Sequence, residues 1–536
     1  MKNSNMHDIQ RLIPNNINLL QDIKNLSSKI LRGIEREALR VNYYGDLSNL
    51  PHPHTLGSSL TNKNVTTDYS EALLELITGT NNSVDSLIKE LTSIHNFVYS
   101  SLNNEMLWHN SIPELSSKKD SEIPIAWFGK NNIGMYKHVY RKGLAKRYGR
   151  KMQCISGLHY NFSLNNEILE NLNCKDKNQK NFNSQCYFNL MRNFIRYSWL
   201  IVYLFGSTPA ISVDLIKNNI NIDDLAKIDS KTVYLPYATS LRVSKLGYYS
   251  KVQSKLDISY NNLEEFLTGL YEAIMKPWPG YQNIGTNYGE DWIQLNTNIL
   301  QIENEYYSMI RPKCSINNND RLINGLKQNG VQYVEVRCLD IDLESSIGIS
   351  IETCRFLDSF LLFCAIEDSP IFIKNEYKEH YENFSNVAYR GREPSLLIKK
   401  KGSTVPLKQF STELITKIGD VASLLDKETN KNLHYDSVLN QLKKVNDQDL
   451  TPSAKIIRDL RDKKISLAEY SLGISKYHSS VLKEKTDSNH DKYKENAIKS
   501  HEDFSSLEGK SEINFEEYVK SLQNDLSKHF NDNNRN

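Results

Sequence analysis

The sequence predicts an α+β fold, on three observations. Between Gly33 and about Phe372, β-like and helical runs alternate with polar loops, and all five tryptophans, the last at Trp292, lie in this part. From about Lys374 onward the chain becomes more helical and more charged. Its 536 residues exceed what one simple core accommodates, so subdomains around a deep pocket are expected.

Composition narrows the function. The 66 Lys and Arg residues against 64 Asp and Glu leave a formal charge of +2, which does not suggest a nucleic-acid or membrane-surface protein. Seven cysteines are scattered without a CxxC pair, which argues against a disulfide framework or zinc ribbon and fits a reducing cytoplasm. The first residues lack the apolar core of a signal peptide. The run Trp199 to Phe205 is too short to span a bilayer and reads as a buried helix or strand. No repeat of solenoid period is present.

The elements follow in chain order. Residues up to about Ile30 read as a polar helix and lead-in. In RGIEREALRVN, Glu35 and Glu37 would share a face about 7 Å apart on a strand, but Glu, Arg, Ala and Leu favour a helix, on which they diverge. The segment PHPHTLGSSL, with His52 and His54, reads as a loop without metal. In TTDYSEALLE, a helix at about 100° per residue puts Asp68, Glu71 and Glu75 in one stripe. That stripe is either the polar face of a surface helix, with Asp68 as N-cap and Glu71 as its capping-box partner, or the wall of a cation site.

Lys137 to Lys151 is strongly basic with tyrosines interleaved, and reads as a solvated helix, an RNA-binding patch or a source of cations for a phosphate. Ile155 to Leu164 reads as a strand carrying His159, either a hydrogen-bonded core histidine or a ligand. Polar loops are expected at about 165–183 and 315–325, and PYATSLRVSKLGY between them adds Arg242. VQYVEVRCLDI reads as a strand with Glu335 and Arg337 on one face and Asp340 on the other. Glu335 and Arg337 form either an exposed pair or a metal-binding carboxylate beside a phosphate-binding guanidinium. The stretch from Lys483 to Glu512 is expected to be a solvated helix or disordered.

If the acids share a site, many carboxylates, one imidazole and no thiolate favour Mg²⁺ or Mn²⁺ over Zn²⁺. Neither GxxxxGK[ST] nor GxGxxG occurs, so a nucleotide would be held by metals and cationic side chains.

The motifs GIEREALRVN, TTDYSEALLELIT, YRKGLAKRYG, ISGLHYNFSL, YLPYATSLR, LQIENEYYSMIRPK and VEVRCLDID occur in this order. Together they resemble the bacterial glutamate–cysteine ligase family from about Leu31 to Asp368, and more weakly to about Leu460. The resemblance implies a glutamine-synthetase-like fold, a curved and mainly antiparallel sheet forming a funnel with helices outside, and places GIEREALRVN on a strand. It implies ATP-dependent joining of the γ-carboxyl of L-glutamate to the amine of L-cysteine with Mg²⁺, the first step of glutathione synthesis. A related ligase using another amine is the alternative, and an RNA-binding protein using Lys137 to Lys151 a third reading.

By matching motif, the resemblance implies metal ligation by Glu35, Glu37, Asp68, Glu75, His159 and Glu335, with Glu71 less secure. It assigns Arg337 to the transferring phosphate, making Arg337 and Glu335 the catalytic pair. It assigns Tyr140, Leu144, Gln153, Arg242, Tyr248 and Tyr307 to the cysteine pocket. It further implies a catalytic region over 12–470, a charged tail over 471–536, and a cytoplasmic monomer that binds no nucleic acid and no membrane.

Overall fold

The computed structural model describes residues 16–172, 179–216, 225–247, 250–316, 320–373, 376–429, 431–484, 489–509 and 513–531. Its centre is an open, seven-stranded sheet whose pairings are all antiparallel. The strands are β1 (Ile30–Asn42), β2 (Val65–Thr67), β3 (Leu73–Ile77), β4 (Glu105–Leu107), β5 (Leu158–Leu164), β6 (Ile310–Lys313) and β7 (Tyr333–Leu339). Their order is β6–β7–β5–β1–β3–β2, with β4 also paired to β1.

β1 overrules its helix-forming composition because it is central. It is bonded to β5 on one side and to β3 and β4 on the other, and its back is covered by helix. Helix propensity, a few tenths of a kcal/mol per residue, is outweighed by those ladders and the buried face. Glu35 and Glu37 stay half-buried on the open face, while Ile34 and Ala38 are fully buried behind. That hidden face also carries three buried arginines. Arg32 pairs with Asp358 at 2.7 Å and Arg40 with Glu105 at 2.8 Å. Arg36 has no carboxylate partner among the described residues and donates to His95 Nε2 (2.7 Å) and His109 Nδ1 (3.0 Å).

The covering layer includes α1 (Val84–Ser101), against β1 and β3, and α3 (Gln179–Phe205), against β6 and β7. The apolar run Trp199 to Phe205 is the end of α3. Helix α2 (Asn132–Tyr148) contributes side chains to the cavity described below. Behind α3 and against it packs α4 (Ile351–Ile366).

Two local expectations fail. Residues 66–75 are not a helix but the β2–β3 hairpin, with Asp68 in the turn. Asp68 is therefore no N-cap, and the acid stripe is replaced by cross-strand neighbours. Of the lead-in before Ile30, residues 1–15 lie outside the described residues, and 16–29 form two short 3₁₀ turns, Ile17–Leu20 and Leu26–Lys29, rather than a helix.

The C-terminal segment is packed on the body. α5 (Leu467–Lys483) runs through residue 471 and contacts α1 and β4. α6 (His490–Leu507) buries Tyr493, Ala497 and Ser500, and its His501 stacks on His54 with ring centroids 4.0 Å apart. α7 (Phe515–Asn531) lies against α2. Residues 485–488 and 510–512, part of the stretch expected to be solvated or disordered, lie outside the described residues.

Cys186 is disulfide-bonded, where the sequence argued against a disulfide framework. Cys154, Cys314, Cys338, Cys354 and Cys364 are free and buried. Among the described residues, no helix is long and apolar enough to cross a membrane.

Candidate active site

The open face of the sheet forms one wall of a cavity of about 320 Å³. Register explains the assembly. Glu35 lies opposite His159 on β5, and Glu37 opposite Glu75 on β3. Glu335 on β7 lies opposite Asn161 on β5 and Arg311 on β6. Strand alternation then turns these side chains to the same face.

His159 is the hub of the acids. Its Nδ1 is 3.3 Å from Glu35 and 3.9 Å from Glu335, and its Nε2 is 3.6 Å from Glu37. Asn161 donates to Glu35 (2.8 Å), and the Gly157 amide donates to Glu37 (2.6 Å). Asp68 and Glu75 also line the cavity. Glu71 does not join them. Its carboxylate turns away and accepts from the backbone N–H of His52 (2.9 Å) and of Trp127 (2.8 Å).

Charge is distributed unevenly. Burial, with Glu35, Asp68, Glu37 and Glu335 crowding it, pushes the Glu75 carboxyl well above the usual carboxylate range. Burial and Asp68 raise Glu37 as well. Burial would raise Glu335 too, but Lys313, Arg337, His159 and Arg311 outweigh it and hold Glu335 well below that range. Lys313 and Arg337 sit 3.0 Å and 2.8 Å from its oxygens. One end of the acid row is thus neutralised by cations, and the other is not.

The donor set fits a hard divalent cation. Glu35, His159 and Glu335 each offer a ligand atom within 4.8 Å of the others. The cavity adds four more carboxylates, Glu37, Asp68, Glu75 and Glu305, and no cysteine, a set that suits Mg²⁺-like ions and not soft metals.

Helix α2 supplies the facing wall. Tyr140 and Leu144, one turn apart, line the cavity with Gln153, Arg242 and Tyr307. Arg242 is anchored by Asp340, whose Oδ1 accepts from Nε at 2.9 Å, and by the carbonyls of Leu339 and Arg337. Tyr248 lies outside the described residues. Apart from Glu71, all other residues expected at the metal, phosphate and cysteine positions line this one cavity.

Sequence reasoning missed two cations, Arg311 and Lys313, and did not single out two more, Lys137 and Arg141, within a run it offered as a source of cations. Lys137 and Arg141 lie in the basic run, which reads as a solvated helix from composition, yet of the Lys and Arg side chains from Lys137 to Lys151 only Lys146 is exposed. Lys137 and Arg141 lie over the Phe128 ring, 5.4 and 4.5 Å from its centroid, and Arg141 donates to the Asp68 carbonyl. Burial, with Arg141 beside it, pushes the Lys137 amine down to about 8. Arg311 and Lys313 alternate along β6, and pairing with β7 sets them around Glu335. Their spacing of two was the signal available.

A sequence profile of the glutamate–cysteine ligase family matches residues 17–387. The glutamate–cysteine ligase of Bordetella parapertussis is 49% identical over 465 residues, 87% of this chain and 88% of that one. That of Pseudomonas fluorescens is 43% identical over 531 residues, 98% of each. The crystal structure of the Francisella tularensis glutamate–cysteine ligase in complex with AMP superposes with a TM-score of 0.87 at 38% identity, covering 93% of this chain and 98% of that one. With the fold, the acid-lined cavity and these likenesses in agreement, the chain belongs to the glutamate–cysteine ligase family.

Proposed function

We propose that the acid-lined cavity is where this chain performs the family's reaction, the ATP-dependent joining of L-glutamate and L-cysteine. One observation carries the reading: six carboxylates and an imidazole meet six Lys and Arg side chains across a single small cavity. Glu35, Glu37, Asp68, Glu75, His159 and Glu335 would hold Mg²⁺, with Mn²⁺ as a substitute. Bound there, the metal supplies positive charge against the phosphoryl oxygens of ATP.

A second cavity of about 550 Å³ adjoins the first, and Tyr136, Lys137, Ile302, Asn304 and Lys313 line both. A nucleotide with its base in the second cavity would pass its phosphates between Lys137 and Lys313, toward Arg337. This is cation-based holding, as the absence of a P-loop requires.

The chemistry is two transfers. The glutamate γ-carboxylate attacks the γ-phosphorus of ATP, ADP leaves, and a γ-glutamyl phosphate forms. The neutral amine of cysteine attacks its carbonyl carbon, phosphate leaves with the C–O bond electrons, and the amide loses a proton. Arg337, fixed by Glu335 at 2.8 Å, faces the charge that develops on the phosphoryl oxygens. Tyr140, Leu144, Gln153 and Tyr307, with Tyr248 from the same motif set, would form the cysteine pocket, and Arg242 would take the cysteine carboxylate.

One chain supplies every residue named, so the reading needs only a monomer, and it places the enzyme in the cytoplasm, where ATP and reduced cysteine are both supplied. The test is ADP release with Mg²⁺, ATP and L-glutamate, with and without L-cysteine, and product mass. Cysteine-dependent turnover to γ-glutamylcysteine is expected. Turnover with no preference for cysteine would instead indicate a ligase for another amine.

A further inference from the structure

Asp340 belongs to none of the roles assigned above, yet it is among the most heavily bonded carboxylates behind the cavity. Its side chain is fully enclosed. It accepts from the Ser207 amide (2.9 Å), Thr208 Oγ1 (2.8 Å), Ser240 Oγ (3.0 Å) and Arg242 Nε (2.9 Å). Four donors around one buried carboxylate hold it in place. Arg242 Nη2 is held by the carbonyls of Leu339 and Arg337. Gly157 lies against the same guanidinium, where an added Cβ would come within 3.0 Å of Nη1 and Nη2. Among the described residues, Nη1 is the one guanidinium nitrogen without a hydrogen bond to protein, on a side chain that lines the cavity.

We infer that Asp340, with Ser240 and Thr208 behind it, is the positioning group that aims Arg242 at the carboxylate of the incoming amine, and so selects an α-amino acid over a simple amine. This rests on the reading of Arg242 given above. The network is rigid before substrate arrives, which saves the ordering entropy of a long side chain and leaves a bare, partly desolvated donor for a carboxylate.

The test compares L-cysteine with L-2-aminobutyrate, which keeps the carboxylate, and with cysteamine, which lacks it. Asp340→Asn should raise the KM for both amino acids about tenfold, the loss of one charge-assisted hydrogen bond, with the KM for ATP and glutamate unchanged. The kcat/KM for cysteamine should hold, so its ratio to cysteine rises. Ser240→Ala and Thr208→Val, which keep Asp340 and its charge, should move that ratio in the same direction by about threefold. These two carry the test if Asp340→Asn does not fold. A cysteamine rate that falls in step with cysteine in all three variants would overturn the inference, since that marks general damage. An unchanged cysteine KM in the three variants, alongside a raised one in Arg242→Ala, would overturn it while sparing Arg242. A cysteine KM unchanged in Arg242→Ala itself would remove both.

Discussion

Glu37 and Glu75 face each other directly across the β1–β3 ladder. Like charges opposite one another on a sheet destabilise it, by up to about 1 kcal/mol. Burial and its acidic neighbours push the Glu75 carboxyl well above the usual carboxylate range, which favours its neutral form and eases the pairing. Glu75→Gln should therefore leave the metal-free melting temperature unchanged or raise it, while activity falls more than about a hundredfold. Thermal melts with and without Mg²⁺ check this; wild type should gain stability from Mg²⁺, and the variant should lose that gain.

Glu335 is placed differently. It touches Lys313 and Arg337 and lies 3.9 Å from Arg311. Glu335→Gln strands one buried cation, Arg311, and two half-buried ones, Lys313 and Arg337, so it should cost about 3 kcal/mol of stability as well as nearly all activity. Urea unfolding and a steady-state assay separate the two. An unshifted unfolding midpoint would contradict the electrostatic account.

The back of the sheet predicts acid sensitivity. Burial, with Arg36 next to each, depresses His95 and His109 far below the usual imidazole range, and burial with Arg40 takes His52 down to about 3. These groups are neutral in the fold and charge on unfolding. Their contribution is present in full above the unfolded value of 6.5 and is lost as pH falls below it. Each adds a slope of up to about 1.4 kcal/mol per pH unit. Urea midpoints measured from pH 7.5 to 5 should fall steeply below about 6.5, and a flat profile would contradict the tautomers assigned by the Leu91 and Ser345 carbonyls.

Lys137 has no ion pair among the described residues and lies at the neck between the two cavities. Lys137→Met should raise the KM for ATP about tenfold with a smaller effect on cysteine, and Lys137→Arg should recover part of it. Initial-rate kinetics with each substrate varied decide this. Equal loss for all three substrates would place Lys137 outside the nucleotide path.

The parts of the site that could be read from sequence are those where local pattern and tertiary structure agree. Tyr333, Val334 and Val336 mark β7 as a strand, and alternation puts Glu335 and Arg337 on one face of it from sequence alone. β1 was not legible that way, because its preference for helix is overruled by strands on both sides that are distant in sequence. In 66–75 a spacing of three and four imitated a helix, and only the hairpin reveals that Glu71 caps two loop amides while Asp68 and Glu75 face the cavity. The cations on β6 and α2 were hidden because a basic residue near the sequence of a tyrosine-rich helix carries no mark of which side it faces. The order of seven motifs conveyed the fold better than any of them singly.

The central claim is that the carboxylates of β1, β3 and β7 hold divalent cations for the ligation. The most direct measurement is titration of the purified protein with Mn²⁺, followed by electron paramagnetic resonance with ATP and L-glutamate present, for wild type and for Glu35→Gln and Glu75→Gln. The account predicts saturable binding in wild type that weakens at least about tenfold in each variant, in step with the loss of γ-glutamylcysteine formation. Mn²⁺ binding that is the same in all three proteins would contradict it.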